Sequence, residues 1–257
     1  MPPPPAPFPP MPSLDAVVSA LDSVIEWSVA ASSRLGYFAA LYKRQTIAVG
    51  VAIKNGAFQD GPRMQRFDAA FADRYFDALN GHFHPNEFPR PTLSWQRTFD
   101  AADRVDLIIL QHVLSGVNAH IDLDLGIAAQ NNAPAMKLPT LHDDFNTINA
   151  VLASQVNGMV ADINQLSPDL ADLYQILAGN EIFLINQAVA TMRDSAWRFA
   201  IVLAVVPGLV RPLTIWARDR KVAAQADLIY NPPGVIGLIQ AALDEIASTP
   251  APIKTTL

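Results

Sequence analysis

Two histidines and three aspartates fall within one apolar stretch, Asp106 to Leu125, and their spacing sets what chemistry they could share. At about 100° per residue, His112, Gly116, His120 and Asp124 trace one polar seam of a helix, while Asn118 and Asp122 point to the opposite side. His120 and Asp124 stand one turn apart, about 6 Å along the axis, which suits two ligands on one ion or an imidazole oriented by a carboxylate. His112 lies about 12 Å from His120 by the same rise. That keeps it out of the same shell, where it could bind a second ion, hold substrate, or act as acid or base at the far end of a pocket. The expected catalytic groups are therefore His112, His120 and Asp124. Gly116, which costs about 1 kcal/mol relative to alanine in a helix, would offer space beside the backbone.

A helix apolar on nearly every side must be wrapped by others, so the reading is all-α: a single multi-helix bundle around a buried central helix at about residues 104–128. Composition agrees with extensive burial. Of the 257 residues, 51% are hydrophobic and only 16% charged, against a usual quarter. A net charge of −6 leaves no basic stripe for phosphates, which argues against a nucleic-acid partner. The absence of cysteine excludes disulfides, thiolate catalysis and Cys-ligated zinc. No basic segment with an apolar core opens the chain as a secretory signal would, and a cytoplasmic protein is expected. No nucleotide-cofactor motif is seen, and nothing in the sequence fixes the oligomeric state.

Along the chain, residues 1–13 carry eight prolines before Ser13 and are expected to form a disordered tail outside the fold. The helical domain is expected over residues 14–248, with a frayed tail at 249–257. Ser13 suits an N-cap, Asn55-Gly56 a left-handed helix end, and Pro62 the first turn of a helix closed by Asn80-Gly81. His82 and His84 enter a proline-rich loop with no strand to align them on a metal. Thr140 suits the N-cap of a helix over 141–166, whose start would bring Asp144 back beside His120 and Asp124. Ser167-Pro168-Asp169 opens another helix ending at Gly179, and Gly234 to Ala247 is the last. Arg193 and Trp197, one turn apart, could brace the core or contact substrate, as Gly116 and Asn118 could. Phe199 to Ala217 is the one apolar run of membrane length, but Pro207-Gly208, Arg211 and Pro212 interrupt it. A buried helix is expected there and membrane contact is not.

The pattern His112-x3-Gly116-x-Asn118-Ala119-His120-Ile121-x2-Asp124-Leu125 resembles the signature of an uncharacterised all-helical bacterial and fungal family, a domain of unknown function. Phe38-Ala39-x-Leu41-Tyr42-x-Arg44-x-Thr46, Phe58-x-Asp60, Phe71-Ala72-x-Arg74-Tyr75-Phe76, Trp95, Asp144-Phe145 and Arg193-x3-Trp197 extend the resemblance over about residues 14–247. It implies a helical fold and site candidates, and brings no activity.

Three functions follow from these residues. In the leading one, His120, Asp124 and Asp144 hold a divalent ion (zinc, manganese or iron) that polarises a carbonyl or activates water in a hydrolase or lyase acting on a small apolar substrate. The second is a metal-free cyclase or isomerase in which a histidine moves protons and Asp124 tunes it. The third is a non-catalytic lipid or isoprenoid carrier, indifferent to loss of His120.

Overall fold

The computed structural model describes residues 2–133, 135–166 and 181–231. Every regular element among them is helical: α1 (Leu14–Ala31), α2 (Leu35–Lys54), α3 (Gly61–Phe83), α4 (Leu93–Asp100), α5 (Ile109–Val117), α6 (Leu125–Asn132), α7 (His142–Leu166), α8 (Glu181–Val205) and α9 (Arg211–Tyr230). A π-helical turn, Asn118–Asp124, joins α5 to α6 without a break, so that Ile109 to Asn132 is one continuous rod. It is the central element. α2 packs on α5, α3 and α8 on α6, and α9 on both α4 and the π turn. The expected helices over Ser167–Gly179 and Gly234–Ala247, and the tail from 249, lie outside the described residues.

Local signals account for several of the element ends. The Ser13 hydroxyl accepts the Ala16 N–H at 3.2 Å to open α1. Gly56, at φ 71, turns the chain out of α2 in the left-handed region that glycine takes without strain. Asp60 accepts the Arg63 N–H at 2.9 Å to open α3. Two signals mislead. α3 runs two residues past Asn80-Gly81 to Phe83, and a Cβ on Gly81 would sit 2.1 Å from the Pro89 carbonyl, so the glycine admits a crossing chain instead of ending the helix. Thr140 lies within a 3-10 turn (Ala135–Leu141) and donates back to the Lys137 carbonyl at 2.8 Å, while α7 begins at His142.

The proline-rich segment is docked on the bundle, contrary to the expectation of a tail outside the fold. The Asn80 amide explains why: it donates to the Phe8 carbonyl at 2.9 Å and accepts the Phe8 N–H at 2.8 Å, completing the backbone pairing that an extended segment cannot supply itself. Asp73 accepts the Met11 N–H at 2.7 Å, Trp27 Nε1 donates to the Pro3 carbonyl at 2.9 Å, and His84 Nε2 pairs with the Pro5 carbonyl at 2.7 Å. Phe8 packs against Phe76, and Met11 is buried. Proline's fixed φ lowers the entropy lost on docking.

The apolar run Phe199 to Ala217 also differs from expectation. Pro207 and Gly208 reverse the chain, with Val210 and Arg211 N–H groups donating to the Pro207 carbonyl at 2.8 and 3.3 Å. Phe199, Ala200 and Leu203 are buried and Ala204 and Ile215 are half-buried against the core, while the residues around the reversal point outward. No described helix is long and apolar enough to cross a membrane.

Replacing Asn80 with Ala removes both halves of the Phe8 clamp and leaves a partly buried N–H and carbonyl unpaired. Thermal or urea melts are expected to lose about 1–3 kcal/mol, and a chain starting at Ser13 should show no further loss from the same substitution.

Candidate functional site

The π turn, Asn118–Asp124, contains both His120 and Asp124. Leu125 N–H donates to the His120 carbonyl five residues back, so the backbone is one residue longer than an α-helical turn at this point. His120 projects from it into rings from three other helices. Phe71 of α3 stacks flat on the imidazole, with centroids 3.7 Å apart and planes within 9°. Tyr42 of α2 meets it edge-on at 4.5 Å, and Phe38, Trp95 and Tyr75 complete the cage at 5.7, 6.0 and 6.3 Å. Neither imidazole nitrogen has a hydrogen-bond partner. Burial pushes the His120 pKa below its ordinary value, and Asp124 draws it only part of the way back, so the ring is neutral at neutral pH.

Asp124 is the fixed charge of the site. It is fully buried, accepts the Trp95 Nε1–H at 2.7 Å and pairs with Arg74 Nε at 3.1 Å. Its oxygen stands 3.6 Å from His120 Nδ1, beyond hydrogen-bond range, so the carboxylate acts on the ring through its charge. Burial works against that charge, but Arg74, His120 and Trp95 together hold the pKa below the usual carboxylate range. On the opposite side of the rod, Asn118 donates to the Val222 carbonyl at 2.9 Å and Asp122 pairs with Arg218 at 2.5 Å, both tying the π turn to α9. Asn118 is thus a strut, turned away from His120 and from the substrate contact expected of it.

Gly116 is filled from outside. A Cβ there would lie 2.5 Å from the Phe38 ring, so the glycine lets Phe38 press against the rod and provides no open space, against expectation. Beyond Phe38 lies a narrow cleft of about 270 Å³, including the part open to solvent, lined by Arg34, Tyr75, Trp95, Thr98, Phe99 and His112 among others. Phe38, Tyr75 and Trp95 wall this cleft on one side and face His120 on the other. His112 and His120 therefore occupy neighbouring compartments of one seam. The His112 pKa falls to about 4, chiefly through burial and then the nearby Arg34 charge, and its Nε2 has no hydrogen-bond partner.

Two further groups, Tyr42 and Asp68, belong to this region. The Tyr42 hydroxyl is buried without a hydrogen-bond partner, and burial followed by the Asp68 charge pushes its pKa well up, so it remains a neutral donor. Asp68 is buried one turn before Phe71 on α3, with Oδ2 unpaired. Burial raises its pKa to about 7, with Arg193 pulling it back. A carboxylate on the Met64-Phe67-Phe71-Tyr75 face of α3 was the available signal. Arg193 itself is engaged: Nε donates to Asn149 Oδ1 at 2.5 Å, NH2 donates to the Phe145 carbonyl at 2.7 Å, and the guanidinium lies over the Phe145 ring. Trp197 packs at a tilt against Phe145 and His142. This pair braces α7 against α8.

The three expected metal ligands are not brought together. Asp144 accepts the Gln59 N–H at 2.7 Å, the Asp60 N–H at 3.1 Å and Arg63 NH2 at 2.8 Å, closing the loop before α3. Those donors satisfy it where it stands. Among the described residues no three His, Asp or Glu side chains are grouped to hold an ion. Asp124 itself is paired with Arg74 Nε at 3.1 Å.

A rod wrapped by helices, with a buried imidazole and carboxylate at its π turn, defines an all-helical bundle with its polar seam inside. The chain belongs to a family of unknown function, DUF5995, which matches residues 14–232. No curated protein and no solved structure matches the chain.

Gly116→Ala is expected to cost about 1–3 kcal/mol in a denaturant melt through overpacking against Phe38, and Phe38→Leu in the same chain should restore part of it. Asp68 supplies a pH test. Its native pKa lies above its unfolded value, so its contribution to stability is fully present below about pH 4 and is lost as pH rises through about 7. Asp68→Asn should therefore gain on the natural protein by up to about 1.4 kcal/mol per pH unit across that window. A flat difference would place Asp68 in a less enclosed setting.

Proposed function

We propose that the protein is a metal-independent acid–base enzyme, of isomerase, cyclase or lyase type, acting on a small and largely apolar molecule. The observation that carries this reading is His120: a neutral imidazole, buried in an aromatic cage, with both nitrogens unpaired beside the Asp124 carboxylate, whose pKa is held down. An imidazole buried without partners costs about 1–3 kcal/mol in a core, and a substrate able to exchange a proton with it would supply the missing contact. In this reading His120 accepts a proton and Asp124 stabilises the imidazolium so formed. Tyr42 offers a neutral O–H to an oxygen on the substrate, since its raised pKa keeps it protonated. Phe71, Phe38 and Trp95 exclude water and present apolar faces to the rest of the molecule.

Hydrolase chemistry on a bound ion ranks second here, because Asp144 is engaged elsewhere and Arg74 stands at Asp124. The carrier reading shares the apolar cage but leaves the unpaired imidazole without a role.

Incubating the purified protein with a small-molecule extract, and following turnover by untargeted mass spectrometry, distinguishes the three. The expected outcome is conversion of an apolar component that survives exhaustive chelation and falls at least about a hundredfold in His120→Ala, the usual scale for a general acid–base group. Activity lost on chelation and restored by zinc, manganese or iron would support the metal-dependent reading. Binding without conversion, unchanged in His120→Ala, would support the carrier.

A further inference from the structure

The reversal between α8 and α9 is the most apolar exposed part of the described surface. Leu209 at its apex is 97% exposed, Val205 75%, Leu213 64% and Trp216 54%, with Ile201 and Val202 flanking them. On a protein surface, isolated apolar side chains need no explanation, but a contiguous apex of this kind does. The charges around it are equally unusual. Between residues 195 and 222 the chain carries five cations (Arg198, Arg211, Arg218, Arg220 and Lys221) and one carboxylate, Asp219, in a protein whose net charge is −6. Asp219 is turned inward, accepting the Leu93 and Ser94 N–H groups at 2.7 and 2.9 Å at the start of α4, and Arg218 is paired with Asp122. Arg198, Arg220 and Lys221 remain exposed.

The spacing of apolar and basic groups follows the cross-section of a membrane interface. On α9, Leu213 and Trp216 precede Arg220 on the same outward face, and Arg220 lies seven residues behind Leu213, about 10 Å along the helix. On α8, Arg198 lies seven residues before Val205, again about 10 Å back. Both arms thus carry a cation at the same depth behind an apolar tip. Interfacial segments enter the headgroup boundary to about 5–10 Å, which would bring these cations level with lipid phosphates. Trp216, with the Arg220 guanidinium 5.1 Å from its ring, combines an apolar body with a polar rim, as residues of membrane–water interfaces do. Arg211, nearer the apex, is half-buried, with its Nε enclosed and without a hydrogen-bond partner. A second copy of the chain is a poorer occupant, because pairing apex to apex would oppose the two basic collars.

We infer that the α8–α9 apex docks the protein on an anionic lipid surface, inserting Val205, Leu209 and Leu213 below the phosphates and seating Arg198, Arg220 and Lys221 against them. The apex stops at the interface, since Pro207-Gly208 turns the chain back. This inference stands on exposure and charge and is independent of the chemistry at His120.

Flotation of the full chain with vesicles of equal parts phosphatidylcholine and phosphatidylserine, beside vesicles of phosphatidylcholine alone, tests it. The protein should float with the mixed vesicles and far less with the neutral ones, and Leu209→Asp with Leu213→Asp should abolish flotation. Arg220→Glu with Lys221→Glu should weaken it about tenfold or more, the scale set by two basic residues at an anionic surface. All four positions are exposed, so melting curves of the variants should match the natural protein. Protein that stays behind with both vesicle types overturns the inference, as does binding that persists after the Leu209→Asp, Leu213→Asp change. A dimer in sedimentation that these substitutions dissolve, without lipid binding, would assign the apex to a second copy instead.

Discussion

The buried charge of Asp124 is the constraint on which the rest of this bundle depends. A carboxylate with no solvent exposure stays ionised only if the surrounding elements bring it donors, and here they come from two directions: Arg74 from α3 and Trp95 from α4. Neither helix can shift along the rod without uncovering that charge, and an uncompensated buried charge costs about 3–5 kcal/mol. The same requirement places Phe71 and Tyr75, which flank Arg74 in sequence, around His120. Electrostatics at one atom thereby fixes the register of two helices and the shape of an aromatic cage. The Asp122–Arg218 pair on the other side of the turn sets α9 in the same manner.

Much of the frame was legible because it follows from local chemistry. The central helix announced itself by apolar residues on all sides, Ser13 and Gly56 by their capping roles, and the His120–Asp124 pair by its spacing. The two sides of the seam also separate as helical geometry predicts, with Asn118 and Asp122 facing away. What was not legible depends on partners distant in sequence. Gly116 reads as empty space until Phe38 is known to fill it. Asp144 reads as a ligand until the Gln59 and Asp60 amides and Arg63 are seen to satisfy it, 81 to 85 residues away. Asp68 is visible in the sequence as a carboxylate on the apolar face of α3, but its neighbours Tyr42 and Arg193 come from α2 and α8 and are not. The proline-rich segment was misjudged for a related reason. Proline content says what the backbone cannot do by itself, and nothing about the Asn80 amide waiting to pair with it.

The two histidines of the seam divide its character between them. His112 opens toward a cleft with Arg34 at its rim, whereas His120 is enclosed by rings on every side described. Both are held neutral by burial, so neither is a ready cation at physiological pH, and each can gain a proton only at the expense of its surroundings. Phe38, Tyr75 and Trp95 are the shared partition. A molecule that reached His120 from the cleft would have to displace Phe38 from its seat on Gly116, so the same contact that stabilises the closed bundle also governs entry.

The π turn has a consequence for how the two halves of the rod relate. One added residue advances the helix by about 100°, so α5 and α6 are out of phase with each other by that angle relative to an uninterrupted α-helix. The phase offset lets α5 present Gly116 to Phe38 while α6 presents Gly126 to the Ala196 carbonyl, which a Cβ would approach to 2.7 Å. Each glycine is matched to its own neighbour. Removing a single residue between 118 and 124 would restore ordinary helical bonding locally and rotate one half of the rod against its partners. The insertion therefore behaves as a keyway cut in a shaft, fixing the angular setting at which the two ends of the bundle can be assembled together.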